Sequence, residues 1–169
     1  MTERAPLQEI MEDLLRATDA SRTTLRLDLS DQDAGLDAVV AEALAPGVRS
    51  IRDDTSIRNL RGVSTVRFLE EQRRVLVQND CLADDLAPPA ELIEHYGVKA
   101  QMLAPIVRDD RLAGVISVHY APGPRDWSSE DVAVLQEAVE RVRRELDATV
   151  QANRETDDGE LEEPQDPDP

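Results

Sequence analysis

The chain is poor in the side chains that build disulfide scaffolds, metal centres and aromatic binding surfaces. Its 169 residues include one cysteine, Cys81, two histidines, and four residues that are Phe, Tyr or Trp. A single cysteine excludes an internal disulfide and a zinc site made of several cysteines. No apolar run approaches the ~18 residues of a membrane span. The first ten residues, MTERAPLQEI, lack the apolar core of a secretory signal. We therefore expect a cytoplasmic protein with no membrane association.

Basic residues are outnumbered by acidic ones, and the formal net charge is −17. Eight of the 36 acidic residues lie in 155–169, a segment with three prolines, no Lys or Arg and one large apolar residue. This segment has too little apolar surface to offset the entropy of ordering, so we predict a disordered acidic tail at 155–169 after a globular domain at 1–154. The remaining 28 acidic residues against 19 basic ones give the domain a charge of about −9. This charge argues against a nucleic-acid partner, because phosphate contacts require a basic face.

Hydrophobic periodicity predicts helices at both ends of the domain and strands between them. Alternation over 22–29 predicts a half-buried strand, with Leu25, Leu27 and Leu29 on one face and Arg26 and Asp28 on the other. Residues 36–45 fit either a helix or a strand, and 48–61 reads as a long connecting loop. The other predicted elements are helices at 6–20, 64–72 (with Ser64 as its cap), 89–96 and 129–154, and strands at 74–78, 98–107 and 112–120. Runs of strands with helices at the ends indicate an α+β fold, with an antiparallel sheet of five to six strands.

The most specific pattern lies in residues 97–135. Two apolar strands flank a polar turn at 108–111, and a loop with Pro and Trp leads to a helix start with a hydroxyl residue and acids placed to cap it. This order resembles the end of a GAF domain, a family that shows the run "PI…DG.L.GVI.VH…P…W...D...L". The matching residues are Pro105, Ile106, Asp110, Leu112, Gly114, Val115, Ile116, Val118, His119, Pro124, Trp127, Asp131 and Leu135.

The resemblance covers roughly residues 5–150 and implies a module that binds a small molecule or cofactor, although a few members of the family are enzymes. It also favours a strand rather than a helix at 38–45. In GAF domains the terminal helices lie on one face of the sheet and the ligand lies on the other face, under a loop-helix insertion. By this resemblance we expect the segment 79–96 to form a roof over the ligand and to close when the ligand binds, shifting the terminal helices.

Side-chain parity on the two hairpin strands separates two faces of the sheet. The even-numbered residues Ala100, Met102, Ala104, Ile106, Ile116 and Val118 are all apolar, and we assign them to the face under the terminal helices. The odd-numbered residues mix apolar side chains with polar ones, as small-molecule clefts do. Together with the roof expected from the family, this face gives the predicted ligand-binding set: Gln101, Leu103, Ser117, His119, Asn79, Cys81, Leu92 and Tyr96.

His119 is the sharpest single candidate for a ligand contact. Phytochrome-type GAF domains have a histidine that touches their bilin at the matching strand position, and the alternative is a histidine hydrogen-bonded within the sheet. Bilin attachment is disfavoured, because family chromophore cysteines usually precede a histidine and Cys81 precedes Leu82. Haem would require His95 or His119 as the axial ligand. The cofactor therefore stays unassigned.

Cys81 is also the only candidate for thiol chemistry. The family includes free methionine sulfoxide reductases, but these use several cysteines, and the acidic loop around Cys81 disfavours a thiolate. The acidic pairs Asp53-Asp54 and Asp109-Asp110 have no further ligand spacing that would indicate a metal site, so we predict solvated turns there. A redox enzyme and a haem-binding sensor stay as alternatives to a sensory module.

The last predicted helix carries a second apolar seam with a 3-4-3-4 spacing: Val132, Leu135, Val139, Val142 and Leu146. This seam packs either on the chain's own sheet or in a dimer bundle with the first helix of each subunit. We predict a homodimer through these two helices, as is common in GAF domains. The whole sequence thus indicates a sensor that binds a small organic ligand and signals through its dimer or a protein partner.

Overall fold

The structure, a computed structural model, describes residues 5–28 and 36–160. Five strands form one antiparallel sheet in the order β2-β1-β5-β4-β3. The elements in chain order are α1 (Ala5–Thr18), β1 (Arg22–Leu27), β2 (Ala38–Leu44), a 3₁₀ turn (Leu60–Gly62), α2 (Ser64–Gln72), β3 (Leu76–Gln78), α3 (Ala90–Glu94), β4 (Ala100–Arg108), β5 (Arg111–Tyr120) and α4 (Ser129–Glu160). The predicted α+β class is confirmed.

Helices α1 and α4 cover one face of the sheet, as the strand parity predicts. The even-numbered residues of β4 and β5 point into this layer, and Met102, Ile116 and Val118 have no exposed surface. They pack with buried side chains of the two helices, among them Met11 and Leu135. Burial of these apolar groups, worth about 1.5–3 kcal/mol for each large side chain, holds the helices on the sheet.

The second face is covered by irregular chain rather than by long helices. We call residues 51–66, together with Pro89 and Leu92, the cover. Its apolar side chains, including Ile51, Ile57 and Val66, form a second buried cluster with residues of β4 and β5. The sheet is therefore buried on both faces.

Strand β1 departs from the prediction of a half-buried strand, since all six of its residues are buried. It pairs with β2 on one side and with β5 on the other, and both of its faces are covered. The face predicted to meet solvent meets the cover instead, so Arg22 and Arg26 are only 2% and 6% exposed. Leu29, predicted to extend this strand, lies outside the described residues.

The β4–β5 hairpin turn has the geometry that two-residue loops favour. Asp109 and Asp110 have φ values of 51° and 61°, as a type I′ turn requires at both central positions. Arg73, which directly follows α2, stabilises the turn, since its Nη2 donates to the Asp110 carbonyl at 2.9 Å.

The ends of the helices agree only in part with the sequence analysis. Ser64 is the first residue of α2 rather than its cap, because Val63 occupies the cap position without a side-chain hydrogen bond. At α4 the predicted cap is confirmed: the Asp131 N–H donates to Ser128 Oγ, and the Ser128 N–H donates to Asp131 Oδ2, each at 3.0 Å. This reciprocal pair satisfies two of the donors that a helix start leaves free.

Helix α4 extends to Glu160, so the predicted boundary at residue 154 falls within it. Residues 161–169 of the predicted tail lie outside the described residues. None of the described helices combines the length and the apolar character needed to cross a bilayer.

Candidate functional site

A small cavity lies between the odd-numbered face of the sheet and the cover. Its volume, taken as the space open to the centre of a water molecule, is about 30 Å³, which is enough for one or two waters. The wall is mostly apolar with a few polar groups, and it consists of Arg26, Ile51, Ile57, Leu60, Thr65, Val66, Pro89, Leu92, Gln101, Leu103, Val115, Ser117 and His119. The composition is similar to that of a ligand cleft, whereas the volume is far below the roughly 300–1,000 Å³ of a pocket for a drug-sized molecule.

Five of the eight predicted binding residues meet in this wall: Leu92, Gln101, Leu103, Ser117 and His119. Four of them come from β4 and β5, where the antiparallel register sets Gln101 opposite His119 and Leu103 opposite Ser117. Because cross-strand partners share a face, one hairpin aims all four side chains at the same space.

The other three predicted residues do not line the cavity. Asn79 accepts from the Trp127 N–H through its side-chain oxygen at 3.3 Å. Cys81 is buried in the second apolar cluster and donates its N–H to the Lys99 carbonyl at 2.8 Å. The Tyr96 hydroxyl donates to Asp54. Of the segment 79–96, expected to form a roof, Pro89 and Leu92 line the cavity, and residues within 51–66 line the rest of that side.

The sequence analysis missed the arginines of β1. The register pairs Arg22 with His119 and Arg26 with Val115, so both arginines lie on the cavity face. Alternation placed Arg26 on the correct side of its strand, but a charged residue in an alternating pattern was interpreted as facing solvent. The cover residues were missed for a different reason, because residues 48–61 show no periodicity.

Hydrogen bonding fixes the state of His119. Arg22 Nη1 lies 3.2 Å from His119 Nδ1, and because a guanidinium only donates, Nδ1 must accept and the proton of the neutral ring sits on Nε2. Burial, followed by the charges of Arg22 and Arg26, holds the pKa of His119 well below 6.5. The ring is therefore a neutral Nε2–H donor, and Nε2 has no hydrogen-bond partner among the described residues.

Gln101 presents a second unsatisfied polar atom. Its Nε2 donates to Gln78 Oε1 at 2.6 Å, and Gln78 Nε2 donates to the Leu86 carbonyl at 2.7 Å. This chain of amides leaves Gln101 Oε1 buried with no partner among the described residues, and Thr24 Oγ1 on β1 is in the same state. Buried polar atoms are rarely left unpaired in native proteins, so these atoms indicate a water or a ligand at the site.

The two buried arginines differ in their partners. Arg22 Nη2 donates to the Arg49 carbonyl at 2.6 Å, and Arg22 Nε lies 3.9 Å from the buried carboxylate of Glu42. Arg26 Nη1 donates to the Asp37 carbonyl at 2.7 Å. Burial is the main cause that lowers the pKa of both guanidinium groups. Of the two, only Arg26 lies in the cavity wall, and it gives that wall its positive charge.

The residues present do not fit the two cofactors weighed from the sequence. A haem-ligating imidazole binds iron through one nitrogen and donates an N–H through the other, but His119 accepts at Nδ1 and carries its proton on Nε2. His95 is exposed and lies outside the cavity wall. Bilin attachment needs a reactive thiol at the cleft, whereas burial, followed by Asp84 and Asp80, raises the pKa of Cys81 to about 12. No cluster of metal-ligating side chains occurs within 5–28 and 36–160.

Comparison with known proteins supports the assignment of the fold. No curated protein matches the chain. The GAF domain of PixJ from Thermosynechococcus elongatus, in its blue-light absorbing form, matches with a TM-score of 0.67 and 23% identity over 89% of this chain and 92% of that one. The GAF domain of a phosphoenolpyruvate-protein phosphotransferase from Coxiella burnetii matches with a TM-score of 0.68 and 15% identity, over 89% of this chain and 86% of that one. Free methionine-R-sulfoxide reductase from Neisseria meningitidis matches with a TM-score of 0.67 and 15% identity, over 89% of this chain and 81% of that one.

These identities are low enough that the three likenesses show the fold alone. The sequence itself supplies the stronger result, a match to the GAF domain model over residues 4–146. The matched region includes the whole sheet, the cover and the cavity. This chain belongs to the GAF domain family.

Proposed function

We propose that this chain is a sensory or regulatory domain that binds a small organic molecule in the cavity under the cover. The observation that carries the proposal is that two residues of the cavity wall have buried polar atoms without partners among the described residues, His119 Nε2 and Gln101 Oε1, and that Thr24 Oγ1 on the same face of the sheet is also without one. Each lost hydrogen bond costs about 1–3 kcal/mol when a polar group stays buried. A ligand that satisfies these atoms recovers this free energy, and the site is therefore suited to a guest with both donor and acceptor groups.

The fold relatives agree with this role. The PixJ domain is described as blue-light absorbing and the Neisseria reductase as crystallised with its substrate, so proteins of this fold hold small molecules. A reductase activity is not favoured here, because Cys81 lies outside the cavity wall and burial raises the pKa of its thiol to about 12.

Occupancy of the cavity requires the cover to move. A drug-sized ligand needs about 300–1,000 Å³, whereas the present volume is about 30 Å³. The cover is the part suited to move, since it is largely irregular chain held on the sheet by side-chain packing. Ligand binding would select an open form of the cover over the closed form.

A contiguous set of hydrogen bonds leads from the cavity to the start of α4. Gln101 donates to the side chain of Gln78, and the Gln78 carbonyl accepts from Trp127 Nε1 at 3.2 Å. Trp127 directly precedes Ser128, the cap of α4. We propose that a ligand bound at Gln101 changes the position of α4 through this route, which replaces the closure of a 79–96 roof expected from the sequence.

The signal would pass to a second copy of the chain or to a protein partner. Within one chain α1 and α4 bury most of their apolar stripes, so the stripes alone do not require a dimer. The stronger argument is length: the 32 residues of α4 span roughly 48 Å, and no described residue after Leu146 joins the core. This overhang, with Val150 exposed, is where we propose the homodimer contact. We place the protein in the cytoplasm, where a lone thiol stays reduced.

The small cavity volume also supports a second candidate, an interaction domain whose cavity is vestigial. Native mass spectrometry of freshly purified protein separates the two, since it reports bound molecules and oligomer size together. We expect a bound small molecule in the wild type and its loss in Ser117→Val, which adds bulk to the cavity wall. Val77→Leu adds bulk on the exposed edge strand and is the matched control.

Two results together would overturn the sensory proposal. The wild type would be purified with no bound molecule, and the NMR resonances of Gln101 and His119 would not shift when a small-molecule library is added. A colourless sample would agree with the poor fit of haem and bilin.

A further inference from the structure

We propose that the ligand is a small carboxylic acid whose carboxylate pairs with Arg26, and that it carries a hydroxyl group as well. This inference rests on the proposed ligand-binding function and names the chemical class of the ligand. The structural basis is a buried guanidinium in the cavity wall that contacts no carboxylate within the part of the chain that the structure describes.

Arg26 is 6% exposed and lines the cavity. Its Nη1 donates to the Asp37 carbonyl at 2.7 Å, and no carboxylate among the described residues lies within 4 Å of its guanidinium. Asp37, Glu42 and Asp54 favour its charge from longer range. The Asp37 carboxylate accepts instead from the Asn59 and Leu60 N–H groups at 3.2 and 3.3 Å. A buried charge normally has a partner, and among the described residues Arg26 has no carboxylate in direct contact.

Arg22 provides an internal comparison. It lies on the same strand and the same face, and it has the buried carboxylate of Glu42 at 3.9 Å. Among the described residues, a carboxylate thus lies within 4 Å of Arg22, outside the cavity wall, and none lies that close to Arg26 within it. The wall contains no Asp or Glu among the described residues, and His119 adds the Nε2–H donor on the same side. An anionic group fits this surface.

The guanidinium and the second polar atom narrow the class of ligand. A planar carboxylate forms two parallel hydrogen bonds with a guanidinium. Gln101 Oε1 is an acceptor and requires a donor on the guest. A short hydroxy acid supplies the carboxylate for Arg26, an oxygen for His119 Nε2–H and a hydroxyl hydrogen for Gln101.

The test is calorimetric titration of the full chain with glycolate, L-lactate and L-malate. The neutral probes are glycolamide and L-lactamide, which keep the shape of their parent acids without the charge, and inorganic phosphate is the alternative anion. We expect at least one acid to bind at least tenfold more tightly than the matched amide. Arg26→Gln should weaken that acid by about 10- to 100-fold, as loss of a charged hydrogen-bonding partner does, and should change amide affinity less than threefold.

Two further variants keep the result interpretable. Arg26→Lys retains the charge but not the paired donors, so we expect it to bind the acid with intermediate affinity. Arg73→Gln removes a surface arginine at the hairpin turn and should leave the affinity unchanged. The melting temperature of Arg26→Gln should equal or exceed that of the wild type, since an unpaired buried charge is removed.

The proposal is overturned if the amides bind as tightly as the acids, if phosphate alone binds, if none of the probes binds, or if Arg26→Gln keeps full acid affinity. The comparison of acids with amides needs only the wild type, so it tests whether the ligand is a carboxylic acid even if Arg26→Gln does not fold. A neutral molecule found in the cavity by native mass spectrometry would remove this inference and leave the ligand-binding function standing. An empty cavity under all conditions would remove both.

Discussion

The state of His119 makes stability depend on pH in a defined window. Its imidazole is fully buried and its folded pKa lies well below 6.5. The unfolded chain therefore binds a proton that the folded chain does not, and stability falls as the pH drops below 6.5 towards the folded pKa. For an imidazole that stays neutral when folded, linkage gives a loss of up to about 1.4 kcal/mol between pH 7.5 and pH 5.5.

Other groups with shifted pKa values act at lower pH. Hydrogen bonds from Ser56 and Tyr96 lower the pKa of Asp54 to about 2. The pKa of Asp13 and that of Asp110 are lowered mainly by hydrogen bonds from Arg141 and Arg73, respectively. A depressed carboxyl pKa contributes stability that is present above the unfolded value near 4 and is lost only below it. The interval from pH 5.5 to pH 7.5 therefore lies above the range in which these three carboxyl groups change stability.

The assay is urea denaturation at pH 5.5, 6.5 and 7.5, followed by the fluorescence of Trp127, the single tryptophan. His119→Gln removes the titrating group and keeps an acceptor for Arg22, so its stability should change little over this interval. His95→Gln, which replaces an exposed imidazole, is the matched control and should show the same loss as the wild type. A wild type with constant stability from pH 7.5 to pH 5.5, or a full loss that persists in His119→Gln, would refute the reasoning.

Three further predictions test local features. Ser128→Ala should lower the free energy of unfolding by about 1 kcal/mol, because it removes the side-chain cap of α4; an unchanged urea midpoint would contradict this. Gly114→Ala should cost about 1–3 kcal/mol, because a Cβ there would lie 2.9 Å from the Arg26 carbonyl oxygen, whereas Gly123→Ala meets nothing within 4 Å and should be near neutral by the same assay. Cys81, with its pKa raised to about 12, should resist iodoacetamide at pH 8 in the folded protein and react in urea, as followed by intact mass; rapid labelling of the folded chain would contradict its burial.

The sequence predicts the hairpin and its two faces well, because the signals are local. Side chains on a strand alternate with a period of two, so the apolar set containing Met102 and Ile116 could be assigned to the helix layer directly. The turn at Asp109 and Asp110 and the cap at Ser128 also depend on a few adjacent residues.

The sequence does not predict what lies on the other face of β1. A charged residue that alternates with leucines indicates solvent exposure under any local rule, and only the return of the chain at 51–66 buries Arg26. The apolar residues of the cover, such as Ile51 and Ile57, are set in irregular chain without periodicity. The sequence therefore predicts only part of the candidate site. The alternation of side chains on β4 and β5 predicts the residues on the sheet side, whereas the arginines and the cover depend on long-range packing.

The claim that a guest occupies the cavity beside His119 is tested most directly by the long-range ¹H–¹⁵N spectrum of the two imidazoles in uniformly labelled protein. It is recorded as purified, and again after the bound molecule has been removed by unfolding and refolding. The account predicts that the His119 ring is neutral with its proton on Nε2 in both samples. The His119 Nε2 resonance should shift when the bound molecule is removed, and it should return to its first position when the removed molecule is added back. A proton on Nδ1, or identical His119 resonances throughout, would contradict it.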